Sequence, residues 1–156
     1  MEVKAIPDGY HAVTPYLIVA GAARAIEFYK DVFGATERMR IAGPDGTVGH
    51  AELQVGDSVV MLADEVPAMG HKGPKAYGGA AVSLMIYVTD VDATFKRALG
   101  AGSKELRAVQ NQFYGDRSGT LEDPFGHCWT VSTHVEDIAP DEMARRGENA
   151  MKQQPG

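Results

Sequence analysis

The chain has 156 residues, with 15 Lys or Arg against 21 Asp or Glu, for a net charge of −6. Its 44% hydrophobic and 23% charged residues are those of a chain that buries a core, which excludes global disorder. The acidic balance without a Lys/Arg run argues against nucleic acid or a membrane surface as partner, and no stretch of about 18 apolar residues is present. The opening MEVKAIPDGYHAV has neither a hydrophobic segment nor a small-residue cleavage site, so the expectation is a soluble, cytoplasmic protein. The single cysteine, Cys128, cannot form an internal disulfide or a Cys-rich zinc site.

In chain order, Thr14–Val19 (TPYLIV) reads as a β-strand leading into GAARAIEFYKDVFGA, whose Ala22, Ala25, Ile26, Tyr29 and Phe33 fall on one helical face. Gly34 suits a left-handed C-cap there. Three strand segments follow, Thr36–Ile41, Thr47–Val55 and Ser58–Leu62, with a GPDG turn at 43–46 and a tight turn at Gly56–Asp57. Residues 63–80 are rich in Gly, Pro and Met and read as a connector or flap. Then the plan repeats. Ser83–Val88 (SLMIYV) is a strand, and a helix capped near Thr89 or Asp90 carries Val91, Phe95, Ala98 and Leu99 and ends at Gly100 or Gly102. Strands Glu105–Gln110, Arg117–Glu122 and His127–Thr133 complete the second half, and Pro140 starts a short helix over 141–144 in a frayed tail. The expected fold is α+β: one domain over 1–138, built of two βαβββ modules (12–62 and 81–134), with a tail over 139–156. The modules form a curved mixed sheet backed by helices.

Strand alternation assigns the faces. Leu17, Val19, Leu84, Ile86 and Val88 share the helix-facing parity, as do Ala51, Leu53, Val55, Trp129 and Val131. Tyr16, His50, Glu52, Gln54, Met85, Tyr87, Thr130 and Ser132 face the other way. A sheet face carrying polar, Met and aromatic residues suggests a curved sheet around a cavity, since a plain solvent-facing surface is richer in Lys and Glu.

The paired βαβββ halves, the helix AIEFYKDVFGA and the DPFGH entering the last strand resemble the vicinal oxygen chelate superfamily, also called the glyoxalase/bleomycin-resistance/dioxygenase family. The resemblance covers residues 12–138, and FYGDRSGTLEDPFGHCWTVSTHVED, with EMARR, is similar to the PhnB-like subgroup. It implies a homodimer, in some members module-swapped, and a divalent metal held by first- and last-strand residues. Those positions fall here on Thr14, Met61, Ser83 and Thr130, three hydroxyls and a thioether, so the expectation is no metal and no cofactor.

His50 and Glu52, two apart on one strand, point to the same face and together with Glu122 could form a proton relay or metal cluster; a hydrogen-bonded sheet face is the plainer alternative. Tyr16, Met61, Met85 and Tyr87 line an adaptable cavity or pack a core. In the loop Phe113, Tyr114, Asp116, Arg117, an aromatic pair closes over a ligand or an Asp–Arg pair holds an exposed loop. His127 shapes the DPFG turn, His134 ends the last strand, and Cys128 is an inert thiol. The expected function is binding or sequestering a small organic molecule in a cup at the module or dimer interface. The expected contacts are Tyr16, His50, Glu52, Met61, Met85, Tyr114, Arg117 and Glu122. Two alternatives stay open: a metal-dependent lyase, isomerase or dioxygenase with an unconventional ligand set, and a structural module without a ligand.

Overall fold

A computed structural model describes residues 2–155; Met1 and Gly156, the outer ends of the expected domain and tail, lie outside them. The chain forms two compact units, one of residues up to 81 with 124–127, the other of 82–123 and 128 onward. Each contains one four-stranded mixed sheet backed by a helix, so the βαβββ plan stands in both halves.

In unit 1, β1 (Tyr16–Val19) leads into α1 (Ala22–Phe33), followed by β2 (Thr36–Ala42), β3 (Val48–Val55) and β4 (Ser58–Asp64), in the order β1-β4-β3-β2. β1 runs parallel to β4, because the crossing helix returns the chain to the same end; the other pairs are hairpins and antiparallel. The α1 face buries Ala22, Ala25, Ile26, Phe28, Tyr29 and Val32, against Leu17, Val19, Ala51, Leu53 and Leu62 of the sheet. Burying side chains of this size contributes about 1.5–3 kcal/mol each. Phe28 and Val32 widen the expected face, while Phe33 is only half-buried, because a helix packed flat on a sheet buries an arc wider than one narrow stripe. Gly34 ends the helix at φ +67, donating to the Lys30 carbonyl while Ala35 donates to that of Tyr29, as a left-handed cap requires.

Unit 2 repeats this with β5 (Ser83–Tyr87), α2 (Val91–Gly100), β6 (Lys104–Asn111), β7 (Asp116–Glu122) and β8 (Cys128–His134), ordered β5-β8-β7-β6. Val91, Phe95 and Ala98 are buried with Leu121, Trp129 and Val131, and Leu99 is half-buried. The last strand begins one residue later than its sequence suggests, because Pro124–His127 belongs to unit 1, where Phe125 packs on Phe28 and the His127 Nε2 lies 3.0 Å from the Ile18 carbonyl oxygen.

The two helices are capped from the end of the last strand. Asp64 accepts from the backbone N–H of Gly21 and Ala22 at 2.9 Å, and from Val48 at 2.8 Å. Its counterpart Thr133 accepts from Val91 N–H at 3.0 Å and donates to the Val88 carbonyl at 2.8 Å, and Asp90 adds a local cap on Ala93. β4 therefore runs on to Asp64, two residues into the expected connector, which itself folds as one-turn helices at Pro67–Met69 and Pro74–Tyr77. The tail is more ordered than expected: α3 runs the 13 residues Pro140–Lys152. Glu142 pairs with Arg145 and with Arg146 at 2.9 Å, and Arg146 reaches Glu136 at 2.9 Å, so the charges of the tail are consumed in holding the helix.

Candidate functional site

In unit 1 the polar face of the sheet carries Tyr16, Met61 and Glu52 side by side in register on β1, β4 and β3. Alternation along β3 sends Ala51, Leu53 and Val55 into the core and leaves His50 and Glu52 opposite them, as the sequence pattern implies. Glu52 is nevertheless only 6% exposed. The chain before β1 lies over it: Tyr10, at the end of a turn closed by its own N–H on the Pro7 carbonyl at 3.2 Å, donates its hydroxyl to Glu52 Oε2. The Arg38 guanidinium sits 4.6 Å above the Tyr10 ring and reaches the Gly9 carbonyl at 3.4 Å, and Gly9 takes the φ of +82 that the turn requires.

His50 and Tyr16 complete the chain of donors. His50 Nε2 lies 3.1 Å from Glu52 Oε1, and the Tyr16 hydroxyl lies 2.7 Å from His50 Nδ1. A carboxylate on one ring nitrogen and a hydroxyl on the other are satisfied by the neutral ring with its hydrogen on Nε2, Tyr16 donating to Nδ1. The Tyr10 hydroxyl, and then His50, hold the Glu52 carboxyl below the usual carboxylate range against the opposing effect of burial. The same bond to Glu52 pushes the Tyr10 phenol up, and burial does so for Tyr16. Glu52 is thus an ionised acceptor held by hydrogen bonds from Tyr10 and His50, with the Arg38 cation also favouring its charge, and Tyr16 lies on the other His50 nitrogen. A cavity of about 540 Å³ opens beside it, walled by Ile6, Pro7 and Tyr10 on one side and Thr14, Met61 and Glu52 on the other.

Four of the expected contacts, Tyr16, His50, Glu52 and Met61, therefore meet in unit 1. Unit 2 holds the others, but in separate places. Met85 lies in register with Thr130 and Thr120, whose hydroxyls are 3.1 Å apart. Glu122 pairs with Cys128 and Lys104, a half-buried position. Tyr114 stands edge-on to Phe113, with its hydroxyl 3.5 Å from Ser118 Oγ. Arg117 points to the helix side of β7, where Asp92 of α2 takes its guanidinium by two bonds of 2.8 Å and Asn111 by one of 3.2 Å. The expected Asp116–Arg117 pair does not form, because neighbours on a strand face opposite ways. Asp116 is instead buried, accepting from Tyr87 at 2.9 Å and from His134 Nδ1 at 2.8 Å, while His134 Nε2 meets Asp137 at 2.8 Å. Burial raises the Cys128 thiol, which keeps it protonated.

The metal positions that the fold implies do not fit a divalent ion. Thr14 and Met61 offer a hydroxyl and a thioether in unit 1, and Thr130 in unit 2 already shares its hydroxyl with Thr120. Among the described residues, no group of three or more His, Cys, Asp or Glu side chains could hold a metal ion. Tyr10 and Arg38 are the site residues that the sequence reading passes over. The signal available was the Pro7-Asp8-Gly9 turn directly before Tyr10, which folds that segment back.

The model of the glyoxalase/bleomycin resistance protein/dioxygenase superfamily matches residues 10–131. The chain belongs to this superfamily. Among curated relatives it is 45% identical to the Mycobacterium tuberculosis protein Rv0887c, itself uncharacterized, over 135 residues, 85% of this chain and 79% of that one. The Escherichia coli protein YjdN is 24% identical over 141 residues, 77% and 93% of the two chains. Of solved structures, TioX from Micromonospora superposes with a TM-score of 0.61 at 26% identity, covering 80% of this chain and 99% of TioX. A Bacillus cereus PhnB protein described as a putative 3-demethylubiquinone-9 3-methyltransferase shares the superfamily fold at a TM-score of 0.63 and 20% identity, covering 79% and 99%. Among the described residues no helix is long and apolar enough to cross a membrane.

Proposed function

We propose that this superfamily member, of the PhnB-like type, binds a small organic molecule in the unit 1 cavity, with Glu52 as its anchoring charge and without a resident metal. The observation that carries the reading is an ionised, nearly buried carboxylate that accepts from Tyr10, faces His50 and borders an open cavity. A carboxylate in this setting binds a hydrogen-bond donor strongly, because charge-assisted bonds exceed neutral ones and little water competes. The Tyr16–His50–Glu52 chain spends its donors and acceptors on one another, so holding a ligand fits it better than covalent chemistry. Acting as a cytoplasmic homodimer belongs to the same proposal; the half-exposed Met85 and Tyr87 of unit 2 offer apolar surface to a second copy.

A thermal-shift screen of planar antibiotics and metabolites tests it. A ligand that stabilises the wild type and not Glu52→Gln supports the reading, since binding only the folded state adds RT ln(1 + [L]/Kd) to stability. No stabilising compound across broad chemistry points to a structural module instead. Stoichiometric metal in protein purified without chelator or affinity tag points to the metal-dependent alternative. Light scattering on the same sample reports whether the particle is a dimer.

A further inference from the structure

The binding reading leaves the ligand's chemistry open, and Tyr10 narrows it. Tyr10 belongs to no helix or strand; it arrives on a stretch of chain laid over the sheet, tied by the turn at Pro7 and by Arg38 on the Gly9 carbonyl. Its side chain makes the contacts a bound phenol would make. The hydroxyl donates to Glu52, the ring lies with its face under the Arg38 guanidinium at 4.6 Å, and the cavity opens alongside, with Ile6, Pro7 and Met61 as hydrocarbon wall.

We infer that the cavity takes neutral phenols, which place their hydroxyl on Glu52 in competition with Tyr10. This rests on the reading of the cavity as a binding site and specifies its ligand. Each neighbour removes a competing class. The Glu52 anion requires a donor and repels aromatic carboxylates and phenolates. The guanidinium above the ring favours an uncharged π face and opposes an aryl or benzylic cation. The apolar wall of Ile6, Pro7 and Met61 gives a simple alcohol little to bury, whereas a ring covers one face against it. Tyr10 is then a tethered competitor: an incoming phenol replaces one hydroxyl by another at the same oxygen, so the bond to Glu52 is exchanged and the ligand gains its ring burial.

The probe is 2-naphthol, followed by its own fluorescence on the full chain below its pKa, with naphthalene, 2-naphthoate and 2-naphthylmethylammonium as comparisons. The wild type is expected to bind 2-naphthol at least about tenfold more tightly than any of the three, the ratio one charge-assisted hydrogen bond provides. Glu52→Gln removes that preference. Tyr10→Phe, which keeps the ring and deletes the competing hydroxyl, tightens 2-naphthol and naphthalene alike about five- to tenfold, because in the wild type either ring gives up the Tyr10–Glu52 bond. Equal affinity for 2-naphthol and naphthalene, tighter binding of the ammonium probe, or no gain in Tyr10→Phe would each overturn the phenol inference. If the thermal-shift screen has meanwhile found a Glu52-dependent ligand of another class, the binding reading survives that failure. If neither experiment finds a ligand, both are overturned.

Discussion

Each unit buries one carboxylate that accepts from a tyrosine hydroxyl and from a histidine ring: Glu52 from Tyr10 and His50, Asp116 from Tyr87 and His134. The difference lies in the second nitrogen of each histidine. His50 Nδ1 faces the Tyr16 hydroxyl, which can donate to it, so a neutral ring satisfies both contacts while Glu52 keeps its charge. His134 Nε2 faces Asp137, and two carboxylates on one ring require a hydrogen on both nitrogens, so Asp116 is neutralised by an imidazolium. The surroundings match. Glu52 borders a cavity, whereas the His134–Asp137 contact leads into the segment that carries α3. One arrangement of side chains thus presents charge in unit 1 and fastens the tail in unit 2.

The strongest way to break the unit 2 fastening is through its backbone. Gly115 has φ +95, and its carbonyl accepts from Val135 and Glu136 at 2.9 and 3.0 Å. A Cβ there would lie 2.2 Å from the Glu136 carbonyl oxygen. Gly115→Ala is expected to destabilise by about 3 kcal/mol in urea unfolding, combining a left-handed conformation with a clash that only displacement of the tail relieves. Gly56→Ala, at the β3–β4 turn with φ +57 and nothing within 4 Å, costs only about 1 kcal/mol. Next in size is Asp116→Ala. It leaves the imidazolium and the Tyr87 hydroxyl without their shared acceptor, at about 2 kcal/mol. Glu52→Ala is expected to cost about 1 kcal/mol, since it removes an acceptor from neutral donors where Asp116→Ala removes one from an imidazolium; equal losses in the two variants would erase the contrast between the units.

The halves of the fold were legible because two strand-to-helix passages and the apolar faces behind them are local and periodic. His50 and Glu52 were legible for the same reason: alternation along β3 fixes which face they share. Tyr10 and Arg38 were not, since 42 residues separate Tyr10 from Glu52 and no periodicity links a turn before β1 to a strand in mid-sheet. The partner of Arg117 was not legible from its neighbours: the carboxylate it meets, at 2.8 Å, is Asp92 on α2, 25 residues away in sequence. The tail was underestimated because part of its hold is electrostatic, through Glu136 and Arg146, ten residues apart, a pairing that no periodicity announces.

Acidity sharpens the comparison in opposite directions. The bonds to Asp116 and then Asp137 raise His134 above its ordinary value, so its contribution is fully present below about pH 6.5 and is lost as pH rises through the folded value. Glu52 is lowered, chiefly by Tyr10, so its contribution is present above the ordinary carboxylate range and is lost as pH falls through the folded value. Hydrogen exchange should therefore accelerate in residues 135–152 on the alkaline side and around Tyr10 on the acid side. Both segments loosening at the same end of the pH range would contradict the assigned charges of the two histidines.

The smallest expected effect lies at the positions where the repeat replaces the ionisable row by hydroxyls. Thr120, Thr130 and Met85 occupy in unit 2 the register that Glu52, Met61 and Tyr16 occupy in unit 1. The 3.1 Å contact between the two threonines is a neutral bond, and both side chains are only half-buried, so water can replace either partner. Thr120→Val keeps the shape and removes the hydroxyl, at an expected cost of about 0.5 kcal/mol in urea unfolding. Binding of 2-naphthol should be unchanged in this variant. Loss of binding would move the site away from Glu52, because a hydroxyl in the other unit's row would then be supplying what the unit 1 carboxylate is held to supply.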